Sequence, residues 1–158
     1  MISQKTLKSL EYDKVLKIVS EYCVLKKTKS EICEFAPSED FLESQVYLAK
    51  TKEAYDLLFN HGVSSVEFYD DLEDCAERAQ KGATLSMGEL LRCSRILKSG
   101  RILYTSVCDS PCEAPYIKQE ASGIYVDVYL ENEIREKILS EDTMSDNASE
   151  RLSSLRKS

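Results

Sequence analysis

Apolar residues recur every three or four positions along most of this chain, the spacing that places side chains on one face of an α-helix. The segment LEYDKVLKIVSEYC is the first to show this pattern. A long helix is predicted from about residue 39 to residue 59, where four apolar residues form one stripe, Phe41, Leu48, Tyr55 and Phe59. The polar break NHGVSS follows, and Gly62 is expected just after the helix end.

A second long helix is predicted in TLSMGELLRCSRILKSGRILYTSV. Ser86 and Glu89 match the capping box, in which each side chain bonds the backbone N–H of the other residue at a helix start. Gly100 lies in the helix interior at a cost of about 1 kcal/mol relative to Ala, so it indicates a close helix contact or a bend. The apolar face of this helix includes Leu90 and Leu97.

Two shorter helices are predicted from capping signals. In TKSEICEF, Thr28 precedes Glu31 by three residues and is a candidate cap. In DDLEDCAERAQKG, Asp70 is expected to cap the helix with Glu73 reaching back, and Gly82 follows its end. With these segments, helical pattern covers most of the first two thirds of the chain.

The last third of the chain mixes two patterns. GIYVDVYL alternates along its length and by itself predicts a strand, but no second strand is evident to pair with it. LENEIREKILSE returns to helical spacing with Leu130, Ile134 and Ile138 four apart, and DTMSDNAS is a polar connection. A further helix is predicted to begin after it, with Ser149 or Asp146 as the cap. The predicted fold class is therefore all-α, an irregular helical bundle.

Composition and charge narrow the function classes. The chain has 158 residues, of which 42% are hydrophobic and 31% charged, and this is typical of one soluble globular domain. It contains no apolar run of membrane-spanning length and no secretory signal at its start, so a cytoplasmic protein is expected. The net charge of −7 disfavours a segment that grips nucleic acid by itself, because that affinity comes mainly from Lys and Arg.

Candidate catalytic chemistry is sparse. The single histidine, His61, adjoins a glycine in a predicted loop, where a solvent-exposed position at a helix end is the favoured interpretation. The six cysteines include no C-x-x-C pair, and they are expected to be reduced and mostly buried thiols. No phosphate-binding glycine motif is present. The sequence thus predicts no catalytic, cofactor-binding or metal-binding residue, and an enzyme using Cys75 or Cys112 with His61 ranks last among the hypotheses.

Four basic residues lie three apart on the second long helix, Arg92, Arg95, Lys98 and Arg101. Steps of three residues drift by about 60° around a helix, so the four side chains spread over half of its circumference. A solvated helix face is the favoured interpretation, and a contact with nucleic acid is the alternative hypothesis.

The order and wording of several segments resemble the opening of the bacterial MutS paralogue family called MutS-two. The resemblance is carried by LEYDKVLKIVSEYC, APSEDFLESQVYLAKTKEAYDLL, DLEDCAERAQKGATLSMGELLRCSRILKSGRIL and LENEIREKILSEDTMSDNASERLSSLR. It implies that residues 1–149 are a helical core like the start of the MutS core, or lever, domain. It also implies that residues 150–158 are the start of a long lever helix, so the chain is expected to be the front of a longer protein.

The family resemblance also implies a function. Such proteins continue into a coiled-coil arm and an ATPase domain that dimerises, often followed by a Smr nuclease domain, and they require ATP and Mg²⁺. They bind branched DNA, are linked to control of recombination and repair, and in some members act on ribosomes. This segment would be mechanical, with the rest of its own chain as partner and with four residues as its buried anchor, Leu90, Leu97, Ile134 and Ile138. The competing hypothesis is a free-standing helical protein-interaction module.

Overall fold

The computed structural model describes residues 3–63 and 70–157. Its helices and strands are α1 Gln4–Ser9, α2 Tyr12–Glu21, α3 Lys26–Cys33, α4 Phe41–Tyr55, α5 Glu73–Gln80, α6 Met87–Cys108, α7 Pro115–Ala121, α8 Val128–Lys137, β1 Ile138–Ser140, β2 Thr143–Met144 and α9 Glu150–Lys157. A single π-helical turn, Asp56–Asn60, extends α4. The predicted all-α fold class is therefore confirmed, with one small hairpin added. Within the described ranges, no helix is both long enough and apolar enough to cross a bilayer.

Helix α6 is the central element of the fold. It packs against α7, α8 and β1, and α7 also packs against α4. The main apolar core lies around the C-terminal part of α6, α7 and the π-helical turn, and its buried members are Leu57, Val63, Val107, Cys112, Ala114 and Ala121. Helix α6 thus holds α7, α8 and β1 in one packed unit.

Local signals explain where several helices begin and end. At the start of α6, the Ser86 hydroxyl accepts the Glu89 N–H and the Glu89 carboxylate accepts the Ser86 N–H, so the predicted capping box is confirmed. Gly62 and Gly82 have φ values of +64° and +84°, which glycine adopts without strain just after a helix end. Ser149 caps α9 by accepting the N–H of Leu152 at 3.2 Å.

Gly100 marks a close approach between α6 and the loop that precedes α8. A Cβ atom at this position would lie 3.3 Å from Cγ2 of Ile124, which is tighter than an ordinary van der Waals contact. The predicted close contact is confirmed, although its partner is a loop residue instead of a neighbouring helix.

The predicted strand in GIYVDVYL is wrong. The Asp127 carboxylate accepts the N–H of Leu130 at 2.8 Å and caps α8, which begins at Val128. The predicted helix through LENEIREKILSE ends at Lys137, because Ile138 pairs with Met144 in the antiparallel β1–β2 hairpin. Alternation over a few residues did not reveal the start of α8, and helical spacing did not reveal its end.

Two predicted helix caps are also wrong. Helix α3 begins at Lys26, so Thr28 lies inside it instead of capping it. Helix α5 has Leu72 in the cap position and no side-chain cap, and the carboxylate of Asp71 accepts the N–H of Glu73 at 3.1 Å just before the helix. Asp70, the predicted cap, instead forms an ion pair with Arg92 of α6.

Candidate functional site

The four basic residues predicted on the second long helix all lie on α6, but they differ in their surroundings. Arg92 Nη1 lies 3.1 Å from Asp70 Oδ2, just before α5. Arg101 forms an ion pair with Glu131 of α8. Arg95 and Lys98 are exposed. The first and last of the four residues thus form ion pairs with carboxylates of neighbouring elements, and the middle two have exposed side chains.

The Arg101–Glu131 pair is the most buried ionic contact on this helix. Arg101 Nε donates to Glu131 Oε2 at 2.8 Å, and Nη2 donates to Oε1 at 3.0 Å. The Glu131 residue is 1% exposed. Two parallel N–H bonds match the fork geometry of a guanidinium and a carboxylate, the strongest arrangement for such a pair. The pair clamps α8 to α6.

Further contacts support this clamp. The Ser94 hydroxyl donates to the Glu131 carbonyl oxygen at 3.2 Å, and Arg135 Nη1 lies 3.9 Å from Glu131 Oε1. The hydrogen bond from Arg101 is the main reason that the pKa of Glu131 lies below its ordinary value, and burial opposes it. The same bond raises the pKa of Arg101. Both groups are therefore held in their charged forms.

Glu131 was missed by the sequence reasoning, which placed no functional residue in the first turn of α8. Acidic residues are common at helix starts, so its position alone carries little signal. Arg101 and Glu131 are separated by 30 residues, and only the packing of α8 on α6 brings them together. A search for an arginine and a carboxylate on the apolar faces of two predicted helices could have suggested the pair.

The four predicted anchor residues are partly confirmed as a buried set. Ile134 on α8 and Ile138 at the start of β1 are buried, with 7% and 6% exposure. Leu90 and Leu97 on α6 are half-buried. The two isoleucines of α8 and β1 are thus more completely buried than the two leucines of α6.

A second group of polar contacts, centred on Glu89, joins α5 to the start of α6. Glu89 accepts hydrogen bonds from Ser86 and Arg78, and the thiol of Cys75 donates to Glu89 Oε1 at 3.5 Å. The bond from the Ser86 backbone N–H, followed by that from its hydroxyl and that from Arg78, lowers the pKa of Glu89 to about 2. Burial and the nearby Cys75 raise the pKa of the Cys93 thiol.

A third group of polar contacts joins α4 to α7. The buried carboxylate of Glu53 accepts the N–H of Ile117 at 2.9 Å, and no side chain at Ala114 is available to cap α7. On the outside of the same contact, Lys50 Nζ lies 2.7 Å from Glu120 Oε1. Glu53 therefore acts as a cap from a neighbouring helix for an otherwise uncapped one.

The three residues of the enzyme hypothesis differ in their exposure to solvent. His61 is exposed at the end of the π-helical turn, as predicted, whereas Cys75 and Cys112 are buried. All six cysteines lie within the described residues and are free thiols, although Cys33 is exposed and three others are only half-buried. The ranges 3–63 and 70–157 contain no group of three His, Cys, Asp or Glu residues arranged to hold a metal ion.

Comparison with known proteins finds relatives that align with nearly the whole of this chain. No protein-family model matches the chain. The chain is 31% identical to the Endonuclease MutS2 of Clostridium beijerinckii, 31% identical to that of Clostridioides difficile and 30% identical to that of a Clostridium perfringens strain. Each alignment covers 99% of this chain and 20% of the relative, so the chain spans a fifth of the length of these curated relatives. The resemblance to the MutS-two family is therefore confirmed, and the chain corresponds over nearly its whole length to one segment of such a protein.

Proposed function

We propose that this chain is the structural segment of a MutS2-like protein that holds the start of a lever helix, α9, on a packed helical core. In this proposal, ATP-driven movement elsewhere in the protein passes through α9 to an arm that contacts DNA. The segment itself contributes no catalytic residue. Its task is to keep the base of the lever in a fixed orientation while the rest of the protein moves.

The Arg101–Glu131 clamp is the observation that carries the proposal. It holds α8 on α6 with two short hydrogen bonds to a buried carboxylate. From α8 the chain passes directly into the β1–β2 hairpin, and the N–H of Ser145 donates to the carbonyl oxygen of Lys137 at 2.9 Å, which closes the hairpin. Helix α9 begins five residues later, so its base is tied to α8 through a short, hydrogen-bonded connection. A rigid base is what a lever needs to transmit a rotation.

The proposal assigns the remaining functions to the longer protein. ATP and Mg²⁺ would bind in its ATPase domain, which would also form the homodimer. Its substrates would be branched DNA in the control of recombination and repair, or a ribosome, in the cytoplasm. A direct nucleic-acid contact from this segment would involve the exposed side chains of Arg95 and Lys98 on α6.

Measurement of ATP hydrolysis by the full-length gene product, with and without branched DNA, tests this function. We expect hydrolysis that DNA stimulates, and we expect the Arg101→Ala variant to keep basal hydrolysis while losing most of the stimulation. Arg135→Ala is the matched control, since Arg135 approaches the same carboxylate at 3.9 Å and is largely exposed. Absence of ATP hydrolysis, or full DNA stimulation in Arg101→Ala, would overturn the proposal. The 158-residue chain alone should hydrolyse no ATP.

A free-standing interaction module is the second candidate function. The exposed apolar residues of α4 favour it, because exposed apolar patches commonly mark protein contacts. The reading frame separates the two candidates. A frame that continues beyond Ser158 into a G-x-x-x-x-G-K-[ST] motif supports the lever segment, and a stop codon there supports the module.

A further inference from the structure

The β1–β2 hairpin is attached to α6 at its base. Ile138, the first residue of β1, is buried where β1 packs on α6, and the N–H of Ser145 closes the hairpin on the carbonyl oxygen of Lys137. The apolar side chains farther along, Leu139 and Met144, are exposed. One buried residue at the base fixes where the hairpin begins but leaves its direction free, so a second contact is needed to orient it.

The second contact is at the tip of the hairpin. Glu141 lies in the turn between β1 and β2, and its side chain rests on Gly88 in the first turn of α6. A Cβ atom at Gly88 would lie 3.3 Å from Cδ, 3.4 Å from Cγ and 3.6 Å from Oε1 of Glu141. The first two distances are shorter than ordinary contacts between carbon atoms, so the missing side chain makes room for the carboxylate. We refer to this space as the Gly88 notch.

The Gly88 notch lies at the electropositive end of α6. The amides of Met87 and Gly88 precede the first hydrogen bond within the helix, and the aligned peptide dipoles place roughly half a positive charge at this end. Such an end attracts a carboxylate within the first turn. The carboxylate of Glu89 is also close, but it is bonded to Ser86 and Arg78, so its negative charge is already compensated.

The hairpin contact lies at the opposite end of α6 from the Arg101–Glu131 clamp. Gly88 and Arg101 are separated by about 20 Å along the helix axis, at 1.5 Å per residue. Because Glu131 meets Arg101 and Glu141 meets Gly88, α8 and the hairpin run antiparallel to α6 between these two points. Two attachments so far apart determine the direction of the segment that leads into α9, which begins at Glu150.

We propose that Glu141 is a positioning residue, which docks in the Gly88 notch and thereby sets the direction of the hairpin and the starting point of α9. This inference rests on the proposed function, because the direction of α9 matters for activity only when α9 is the base of a lever. The contact has two parts. The glycine provides the space, and the start of α6 provides the attraction for the carboxylate.

Exchange of charges at the notch tests the inference in the full-length gene product. Glu141→Lys replaces an attracted carboxylate with a repelled ammonium, and Gly88→Asp places a second carboxylate in the notch. We expect each substitution to accelerate hydrogen exchange in residues 138–145 about two- to fivefold, measured by mass spectrometry, because a charge at a helix end has an effect of this size. The double variant pairs an ammonium with a carboxylate, and its exchange should return to the native rate.

Two comparisons separate positioning from a general loss of stability. An acidic residue in the first turn is favourable for a helix, so Gly88→Asp should accelerate exchange in the hairpin without accelerating it in α6. Asp142→Lys is the matched control, since it makes the same change of charge at the next residue of the turn, which is exposed. The three atoms nearest to the missing Cβ all belong to Glu141, so this control should leave the hairpin unchanged.

ATP hydrolysis by the same proteins gives the functional readout. We expect Glu141→Lys and Gly88→Asp to keep basal hydrolysis and to lose at least half of the stimulation by branched DNA. The double variant should recover this stimulation. Recovery through a reversed pair of charges is expected for a contact that orients the hairpin, and it is not expected for two substitutions that each merely weaken the fold.

The outcomes separate this inference from the proposed function. Unchanged hairpin exchange in both single variants, or equal acceleration in Asp142→Lys, overturns the inference even when Arg101→Ala loses DNA stimulation as proposed. Faster hairpin exchange with native DNA stimulation also overturns it, because the hairpin then opens without affecting the lever. Faster exchange that the double variant reverses, in a protein without ATPase activity, supports Glu141 as the residue that orients the hairpin and refutes the proposed function.

Discussion

Arg101 on α6 donates two hydrogen bonds, of 2.8 and 3.0 Å, to the carboxylate of Glu131 on α8. The Glu131 side chain is 2% exposed, whereas that of Arg101 is 34% exposed. The carboxylate has therefore lost its hydration almost completely and depends mainly on the Arg101 guanidinium for its compensation, since Arg135 Nη1 lies farther away, at 3.9 Å. Such a carboxylate makes the α6–α8 contact sensitive to the loss of its partner.

Arg101→Ala should lower the free energy of unfolding by about 2–4 kcal/mol, because it leaves a buried carboxylate without its main partner. The partial exposure of Arg101 keeps the expected value near the lower end. Urea unfolding followed by far-UV circular dichroism at pH 7 measures the change. Arg135→Ala, which removes the weaker and exposed neighbour of the same carboxylate, should leave the midpoint nearly unchanged. Equal effects of the two substitutions would contradict the account.

Replacing both members of the pair should be less harmful than removing one. Arg101→Met combined with Glu131→Leu removes both charges and keeps most of the side-chain volume, so no desolvated charge remains. We expect the double variant to recover at least half of the stability lost in Arg101→Ala, in the same urea titration. A double variant less stable than Arg101→Ala would show that the pair itself, and not the unpaired carboxylate, determines the loss.

The start of α6 and the ends of the helices before Gly62 and Gly82 were predictable because their causes are local. A capping box and a left-handed glycine depend on residues within four positions of each other, and these are visible in sequence. The close approach at Gly100 was predictable for a related reason, since a glycine in a helix interior usually has a steric cause. Its partner, Ile124, could not be named because the loop path was unknown.

The features that matter most for the proposed site were not predictable in the same way. Glu131 meets Arg101 only after α8 has packed on α6, and the two residues are 30 positions apart. The β1–β2 hairpin interrupts a segment with good helical spacing at Ile138, whose burial beside α6 outweighs local propensity. The stripe on α4 was found correctly, but periodicity cannot tell a face that packs on this core from one that faces away.

The acid sensitivity of the fold should depend on Glu89. The pKa of this carboxyl is about 2 in the folded chain, below its ordinary value of 4.5, because of the hydrogen bonds from Ser86 and Arg78. A lowered carboxyl pKa contributes stability that is complete above the ordinary pKa and disappears as the pH falls through the folded value. Glu89→Gln should therefore lower the thermal midpoint most at pH 5–7, and this deficit should shrink steadily between about pH 4.5 and about pH 2.

Thermal unfolding at a series of pH values checks this dependence. Glu31→Gln removes an exposed carboxylate on α3 and serves as the control, whose curve should follow that of the native chain. A deficit in Glu89→Gln that stays constant down to pH 2.5 would show that Glu89 acts through packing or capping geometry, without its charge.

The cap that α4 provides for α7 should also be measurable. Glu53→Ala removes the acceptor for the Ile117 N–H and leaves the start of a seven-residue helix without a side-chain cap, so we expect a loss of about 1–2 kcal/mol. Urea unfolding gives the free energy, and hydrogen exchange within Pro115–Ala121 should accelerate. Lys50→Ala, which breaks the exposed pair on the outside of the same contact, should leave the exchange of α7 unchanged. Unaltered exchange in Glu53→Ala would refute the capping role.

Nucleic-acid binding by the 158-residue chain should be weak and should depend on the middle of α6. The net charge is −7, so fluorescence anisotropy with a labelled duplex should show no saturable binding at 150 mM salt below about 10 μM protein. At about 20 mM salt, any residual binding should fall when Arg95 and Lys98 are both changed to Glu, because these side chains are exposed. Arg92→Ala should have little effect, since its guanidinium already binds Asp70. Tight binding at 150 mM salt, or equal losses in the two variants, would mean that the ion pairs of α6 open to contact phosphate and that the segment itself grips DNA.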